Sequence, residues 1–261
     1  MNRYEGRRVL VTGAGSGIGQ ATVLRMLAEG GRVVAADVSE AGLADTVEKA
    51  GDAADRLSTV VVNVADEASV KAGVASAVEQ LGGLDALVNA AGILRSAHTH
   101  EMPLEAFEQV LRVNLVGTFL VIRESIPALR EGSGPAVVNF SSTSAMFAHP
   151  YMAAYAASKG GIQSMTHALA SEYAKDGIRF TAVQPGSISS GMTDGSGKSK
   201  QSVGPGFPED ADFTLLGKLL PALGEGFAGP ETVASVVAML ASEDAAFVTG
   251  TEVRIDGGTH F

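Results

Sequence analysis

RRVLVTGAGSGIGQATVLRMLAEG (residues 7–30) joins three patterns without a break. A β-branched apolar run comes first, then a glycine-rich turn, then apolar residues at helical spacing: Ala21, Leu24, Leu27 and Ala28. Glycines at 13, 17 and 19 allow a tight turn and let backbone approach a pyrophosphate. The helix that follows offers such an anion its free N–H groups and the positive end of its dipole. Ser16 and Ile18 lie inside the same loop. The spacing is G-x-x-x-G-x-G rather than G-x-G-x-x-G, so the strand–turn–helix setting carries the meaning: a nucleotide site.

The next strand pattern, VVAAD, ends in Asp37, eighteen residues past Gly19. A carboxylate at that tip accepts both hydroxyls of an adenosine ribose and repels a 2′-phosphate. Ser16 and Val38 hold the neighbouring positions, so nothing basic offsets the repulsion. The expected cofactor is NAD rather than NADP.

Outward from this unit come five more strand patterns: STVVVNV, LDALVNAAG, AVVNFSS, IRFTAVQPG and TEVRIDGG, with helical patterns between them. Such alternation predicts right-handed crossovers and a parallel sheet covered on both faces. The fold class is α/β, a doubly wound Rossmann fold with a seven-stranded, mostly parallel sheet. Residues 1–261 are expected to form one domain. Residues 187–229 break the rhythm: they are rich in Gly and Ser and contain Pro205, Pro208 and Pro221. They read as a mobile insertion over the sheet's carboxyl edge, with DFTLLGKLLPAL making one or two short helices. Within it GSGKSK (Gly195 to Lys200) looks phosphate-like, but Met192 stands where a Walker loop needs its first glycine. That stretch reads as a flexible loop.

Composition narrows the function. Net charge is −10, from 29 acids against 19 bases, which repels nucleic acid. There is no Trp, and aromatics are 5%, so base-stacking platforms are not expected. Absence of cysteine removes disulfide and thiolate chemistry and fits a reducing, cytoplasmic compartment. A strand pattern already at Arg7 leaves no room for a signal peptide. The uncharged run 132–158 is long enough to span a bilayer, but Pro135, Pro150, Asn139 and six Ser or Thr mark it as folded interior. His98 and His100 have no recognisable third ligand, so no metal is expected.

The uncharged run ends at Lys159, in AAYAASKGGIQSMTHALASEYAK. On a helix, Tyr155 and Lys159 share a face four residues apart, whereas Tyr151 has no lysine at that spacing. An ammonium near a phenol favours the phenolate, and a wall of low polarity strengthens the coupling. Spacing alone means little, but two residues add to it. Ser142 follows the fifth strand at the edge where ligands bind in such sheets, and its hydroxyl can hold a carbonyl or alcohol oxygen. Asn114 falls on the buried stripe of FEQVLRVNLVGTFLVI with Phe107, Val110, Leu111, Thr118 and Val121. A buried amide must be hydrogen-bonded, which a purely structural partner also satisfies.

Together these motifs resemble the short-chain dehydrogenase/reductase family in its single-domain form, over nearly the whole chain. TGAGSGIG (Thr12–Gly19) is similar to its cofactor loop, NAAG (Asn89–Gly92) to its fourth-strand motif, YAASK (Tyr155–Lys159) to its Y-x-x-x-K pair, and QPGSI (Gln184–Ile188) to the turn after the sixth strand. The resemblance implies a catalytic tetrad of Asn114, Ser142, Tyr155 and Lys159. Tyr155 is then the general acid/base and Ser142 orients the substrate oxygen. Lys159 lowers the tyrosine pKa and holds the nicotinamide ribose, while Asn114 holds a water that passes the proton to solvent. It further implies cofactor contacts from Asn63, Val64, Asn89, Ala90, Gly92, Pro185, Gly186, Ile188 and Ser190, and a homotetramer. Two departures stand out: Asn63-Val64 replaces the usual Asp-Val, and Ser190 stands where a threonine is usual.

Ser144, His149 and Tyr151, between Ser142 and the Tyr–Lys pair, are expected to border the substrate pocket. The resulting expectation is an NAD-dependent enzyme interconverting a secondary alcohol and a ketone, with small molecules as its partners. The alternatives are an NADPH-linked carbonyl or 3-oxoacyl-thioester reductase, and a non-catalytic NAD-binding protein.

Overall fold

A computed structural model describes residues 2–194, 204–224 and 226–260. The GSGKSK stretch lies outside the described residues. Seven strands form one sheet: β1 (Arg8–Thr12), β2 (Arg32–Asp37), β3 (Leu57–Val61), β4 (Ala86–Asn89), β5 (Ala136–Phe140), β6 (Arg179–Pro185) and β7 (Thr251–Ile255). Their order is β3-β2-β1-β4-β5-β6-β7. Every pairing is parallel, so the expected "mostly parallel" sheet is parallel throughout.

The helices are α1 (Gly17–Ala28), α2 (Glu40–Ala50), α3 (Glu67–Leu81), α4 (Leu104–Leu111), α5 (Gly117–Arg130), α6 (Ala153–Glu172), the single turn α7 (Gly191–Asp194) and α8 (Pro230–Leu240). Alternate residues of each strand point to opposite faces, which divides the core in two. Val9, Val11 and Val33 pack under α1, α2 and α8 with Met26, Leu43 and Val237. Leu10, Val34 and Leu87 pack under α3, α5 and α6 with Val74, Val121 and Ala170. The central β5 is buried at every residue, and the buried Ser141–Ser144 follow it. The long uncharged run is thus a strand with helices on both sides, followed by a pocket wall. Among the described residues no helix is long and apolar enough to cross a membrane.

The order in which strands are added reverses between β1 and β4, because β1 leads to β2 on one side and β4 to β5 on the other. The loops leaving β1 and β4 therefore part, and a crevice opens at their carboxyl ends. Two irregular features border it. Between α4 and α5 lies a π-helical turn, Arg112–Val116, so FEQVLRVNLVGTFLVI is not one continuous α-helix. The insertion begins and ends on a bridge between Ile188 and Ala228, backed by a bond from the Ser189 N–H to the Ala228 carbonyl at 2.9 Å. Its described middle contributes a 3₁₀ turn at Phe213–Leu219, within the segment expected to form short helices.

Candidate active site

The glycine loop is built by close approach. Gly13 has φ +69°, and a Cβ there would lie 2.6 Å from the Ala91 nitrogen. A Cβ on Gly19 would lie 2.1 Å from the Gly13 carbonyl oxygen, so only glycine lets α1 start against the end of β1. Ser16 caps α1 in extended backbone without a side-chain bond, and the first turn of α1 carries no acid. The N–H groups of Gly17, Ile18 and Gly19 thus begin a helix at the crevice, as an anion requires.

Asp37 is preorganised beside them. Its Oδ2 accepts the Gly15 N–H at 2.9 Å and its Oδ1 accepts the Ser39 N–H at 2.8 Å. Each carboxylate oxygen keeps a lone pair for a further donor. Gly15 went unnoticed in the sequence, yet a Cβ on it would sit 2.9 Å from the Asp37 carboxyl carbon. At the tip of β3, Asn63 turns its Oδ1 to the Ala65 N–H at 3.1 Å, which leaves one lone pair on that oxygen for an amino group.

A single cavity of about 770 Å³ runs from these residues to the Tyr–Lys pair. Gly13, Ser16, Gly17, Ile18, Gly19, Asp37, Val38, Asn63, Val64, Ala90, Gly92, Pro185, Gly186, Ile188 and Ser190 all line it, as do Ser142, His149, Tyr155 and Lys159. Those glycines and Asp37 fit a dinucleotide: a backbone cradle for its phosphates and an acceptor for its ribose.

At the far end Tyr155 and Lys159 share the buried face of α6, 9% and 3% exposed. The Lys159 Nζ lies 5.4 Å from the Tyr155 ring centroid and donates to the Phe140 carbonyl at 2.8 Å. The Ser142 Oγ accepts the Ser144 N–H at 3.1 Å, and its hydroxyl acts on the Tyr155 phenol to hold the phenol pKa down. Accepting from Ser144 leaves its own O–H to donate, to the phenol oxygen or to a substrate oxygen. Asn114 does not line the cavity; it sits one layer behind, fully buried. Its Oδ1 accepts the Ile93 N–H at 2.8 Å, and its Nδ2 donates to the Ile93 carbonyl at 2.9 Å and to the Ser158 Oγ at 3.0 Å. Both amide donors are used, so the observed part played by this side chain is to pin the loop after β4. Its Oδ1 keeps one lone pair for a further donor such as a water.

Charge states also differ from the expectation that Lys159 primes the phenol. Burial pushes the Tyr155 phenol up to about 12, and the group pulling it back is the Ser142 hydroxyl rather than the lysine. Burial likewise brings Lys159 down to about 8. Desolvation outweighs the mutual effect in the chain alone, because it penalises both charged forms at once.

That lysine has a consequence for stability. In the unfolded chain its pKa is the ordinary 10.5, so between about 8 and 10.5 the unfolded state binds more protons. Stability rises with pH through that window, and the full penalty applies below it. Removing the lysine as Lys159→Met is expected to favour the variant over its parent by on the order of 3 kcal/mol more at pH 7 than at pH 10.5. The lost bond to Phe140 adds a cost at every pH and so does not alter the difference. Urea unfolding of both proteins across the window measures this, and parallel profiles would contradict a buried, charge-penalised lysine.

Three more of the residues expected at the site, Asn89, Ser144 and Tyr151, do not line the cavity. Asn89 is buried and its Nδ2 donates to the Asn139 Oδ1 at 2.9 Å, so it ties β4 to β5 instead of lining the cavity. Ser144 is buried behind Ser142, where its backbone N–H is the part that matters. Tyr151 adopts φ +68° and swings out of the pocket: its hydroxyl accepts the Asp212 N–H at 2.9 Å, and its ring meets His98 edge-on at 5.3 Å. His98 in turn pairs with Asp210 at 2.8 Å. Tyr151 therefore anchors the insertion from outside. In its place the wall is made by Leu94, Met152, Met192, Phe207, Phe213 and Leu216, four of them from the insertion. Their apolar character was visible in the sequence, but nothing there said which way they faced.

The profile of the short chain dehydrogenase family matches residues 7–201. A 3-oxoacyl-[acyl-carrier-protein] reductase of Thermotoga maritima is 38% identical over 256 residues, covering 98% of each chain. Levodione reductase of Leifsonia aquatica is also 38% identical, over 98% of this chain and 95% of its own. Among solved structures, a short chain dehydrogenase from Mycobacterium paratuberculosis bound to NAD superposes with a TM-score of 0.89 at 31% identity, over 98% of both chains.

Proposed function

The chain belongs to the short-chain dehydrogenase family, and from that membership we propose that it is an NAD-dependent enzyme interconverting a secondary alcohol and a ketone, folded as one domain. The observation that carries the reading is a convergence. Tyr155, Ser142 and Lys159 meet in one cavity whose other end is the glycine loop and Asp37.

The residues divide the work as follows. Asp37 and the amino end of α1 hold the two ends of the adenosine diphosphate part. The Ser142 hydroxyl donates to the substrate oxygen and fixes its distance from the Tyr155 Oη. Tyr155 takes the hydroxyl proton during oxidation and returns it during reduction. Lys159, held by the Phe140 carbonyl, keeps its ammonium beside that ring and favours the phenolate. Asn114 positions the loop whose Gly92 faces Lys159. The glycine loop and Asp37 would hold NAD, which when bound would supply the hydride acceptor and a positive ring at the site. The described parts of the insertion, which wall the cavity with Met192, Phe207, Phe213 and Leu216, would shield the substrate from water.

One relative is named a 3-oxoacyl-[acyl-carrier-protein] reductase, whereas the related structure is bound to NAD, which favours the dehydrogenase reading. A screen of secondary alcohols followed by NADH absorbance, repeated with NADP, tests the reading. We expect turnover of at least one neutral alcohol with NAD. Tight NAD binding with no turnover across the screen would instead mark a nucleotide-binding protein.

A further inference from the structure

We propose that the substrate is an uncharged alcohol or ketone carried on an apolar body and taken up free, not on an acidic or phosphorylated carrier. The inference rests on the dehydrogenase reading and narrows it. The substrate end of the cavity is walled by Leu94, Met152, Met192, Phe207, Phe213 and Leu216, with Ser142 and Tyr155 for the reacting oxygen.

Among the described residues lining the whole cavity, the charged ones are Asp37, Arg112 and Lys159. Asp37 ends β2, and the Arg112 Nε donates to the Ala65 carbonyl at 2.7 Å, beyond β3. Both stand at the nucleotide end. Lys159 is buried beside the Tyr155 ring and already donates to Phe140. The imidazole of His149 is held by its neighbours, Nδ1 against the Phe147 carbonyl at 3.1 Å and Nε2 against the Thr143 hydroxyl at 3.3 Å, and burial moves it toward the neutral form. A carboxylate or phosphate entering this end would shed water and meet, from these residues, no cation but the buried Lys159, which is already held by Phe140.

The mouth agrees with the interior. Phe213, Leu220 and Phe227 line the cavity and are still 63%, 60% and 49% exposed, so its rim is apolar on the outside as well. Between Phe207 and Phe213 the chain places exposed Glu209, Asp210 and Asp212, of which Asp210 is paired with His98. With a net charge of −10 behind them, these acids repel a polyanionic carrier and leave a small neutral molecule unaffected.

The test compares kcat/KM, with NAD, for cyclohexanol, for the same ring bearing a carboxylate, and for a hydroxyacyl thioester of phosphopantetheine. We expect the neutral alcohol to be favoured over both anions by roughly a hundredfold. Anionic substrates used within about tenfold of the neutral one would overturn the inference and leave the dehydrogenase reading standing. If none of the three is oxidised, and cyclohexanone does not inhibit NAD reduction by any alcohol found in the wider screen, the inference is overturned as well. The variant Phe213→Lys adds a cation at an exposed rim position. It is expected to narrow the preference against the carboxylate by about tenfold, and a ratio that does not move would contradict the rim's part in the selection.

Discussion

The variant Tyr155→Phe is expected to lose roughly a thousandfold or more in kcat while keeping its affinity for NAD within about threefold. The substitution removes one oxygen from a side chain only 9% exposed, so the ring still fills its place and no cavity opens. Ser142 keeps its bond from the Ser144 N–H and stays oriented. What disappears is the group proposed to take the proton, while Lys159 and His149 keep their bonds to the Phe140 and Phe147 carbonyls. Single-turnover hydride transfer and NAD titration by fluorescence separate the two effects. Activity within tenfold of the parent would remove Tyr155 from the mechanism. The parent's pH profile follows with a definite sign. Oxidation needs the phenolate, so it rises with pH, while ketone reduction needs the phenol and falls. The chain alone holds that phenol up to about 12. The apparent value at saturating NAD is expected below 10, the ordinary phenol value, because the positive ring of NAD and the Lys159 ammonium both favour the anion.

Second in size is the effect of Asp37. The parent is expected to prefer NAD to NADP by about a hundredfold or more in kcat/KM. Two unit charges 4 Å apart at an effective dielectric of about 20 repel by about 4 kcal/mol, and a 2′-phosphate beside this carboxylate would meet that order of cost. The variant Asp37→Ser should raise kcat/KM for NADP about a hundredfold and lower it for NAD about tenfold. The carboxylate also accepts the Gly15 and Ser39 N–H groups, so the variant is expected to lose about 1–3 kcal/mol of stability, read by urea unfolding. Equal use of both cofactors by the parent would sink this reading of Asp37. A loss of stability without a change in cofactor preference would reduce Asp37 to a loop brace.

The two predictions draw on parts of the chain that were readable to different degrees. All seven strands, the glycine loop and Asp37 could be read because each announces itself over a short span: a β-branched run, a turn only glycine makes, an acid at a strand tip. The four residues Asn114, Ser142, Tyr155 and Lys159 were found by periodicity and by the edge of the sheet. What failed was the direction of side chains in irregular backbone. Tyr151 lies four residues before Tyr155 and was expected in the pocket, but a positive φ turns it toward Asp212. Ser144 shares a 3₁₀ turn with Ser142's cap and faces the protein. Gly15 was passed over because its task, giving a backbone N–H to a carboxylate twenty-two residues away, leaves no local mark. The substrate wall is the extreme case. Phe207, Phe213 and Leu216 come from an insertion whose fold depends on what it covers, and hydropathy says only that they seek an apolar partner.

The wide turn at Arg112–Val116 fixes how this architecture can vary. A π turn amounts to one residue more than an α-helix needs over the same length, and each helical residue accounts for about 100° of rotation. The helix pair on either side is therefore phased through that extra residue. α4 packs on α6, α5 packs on α3, and Asn114 reaches Ile93 in the same span. Deleting one residue inside the turn would restore regular helix with both flanks in place but lose the wide turn that carries Asn114 to Ile93, whereas a deletion in either flank would rotate its packed face by about 100°. Length changes in related sequences should thus gather in the insertion and the surface loops, and spare this apparently unremarkable stretch of helix.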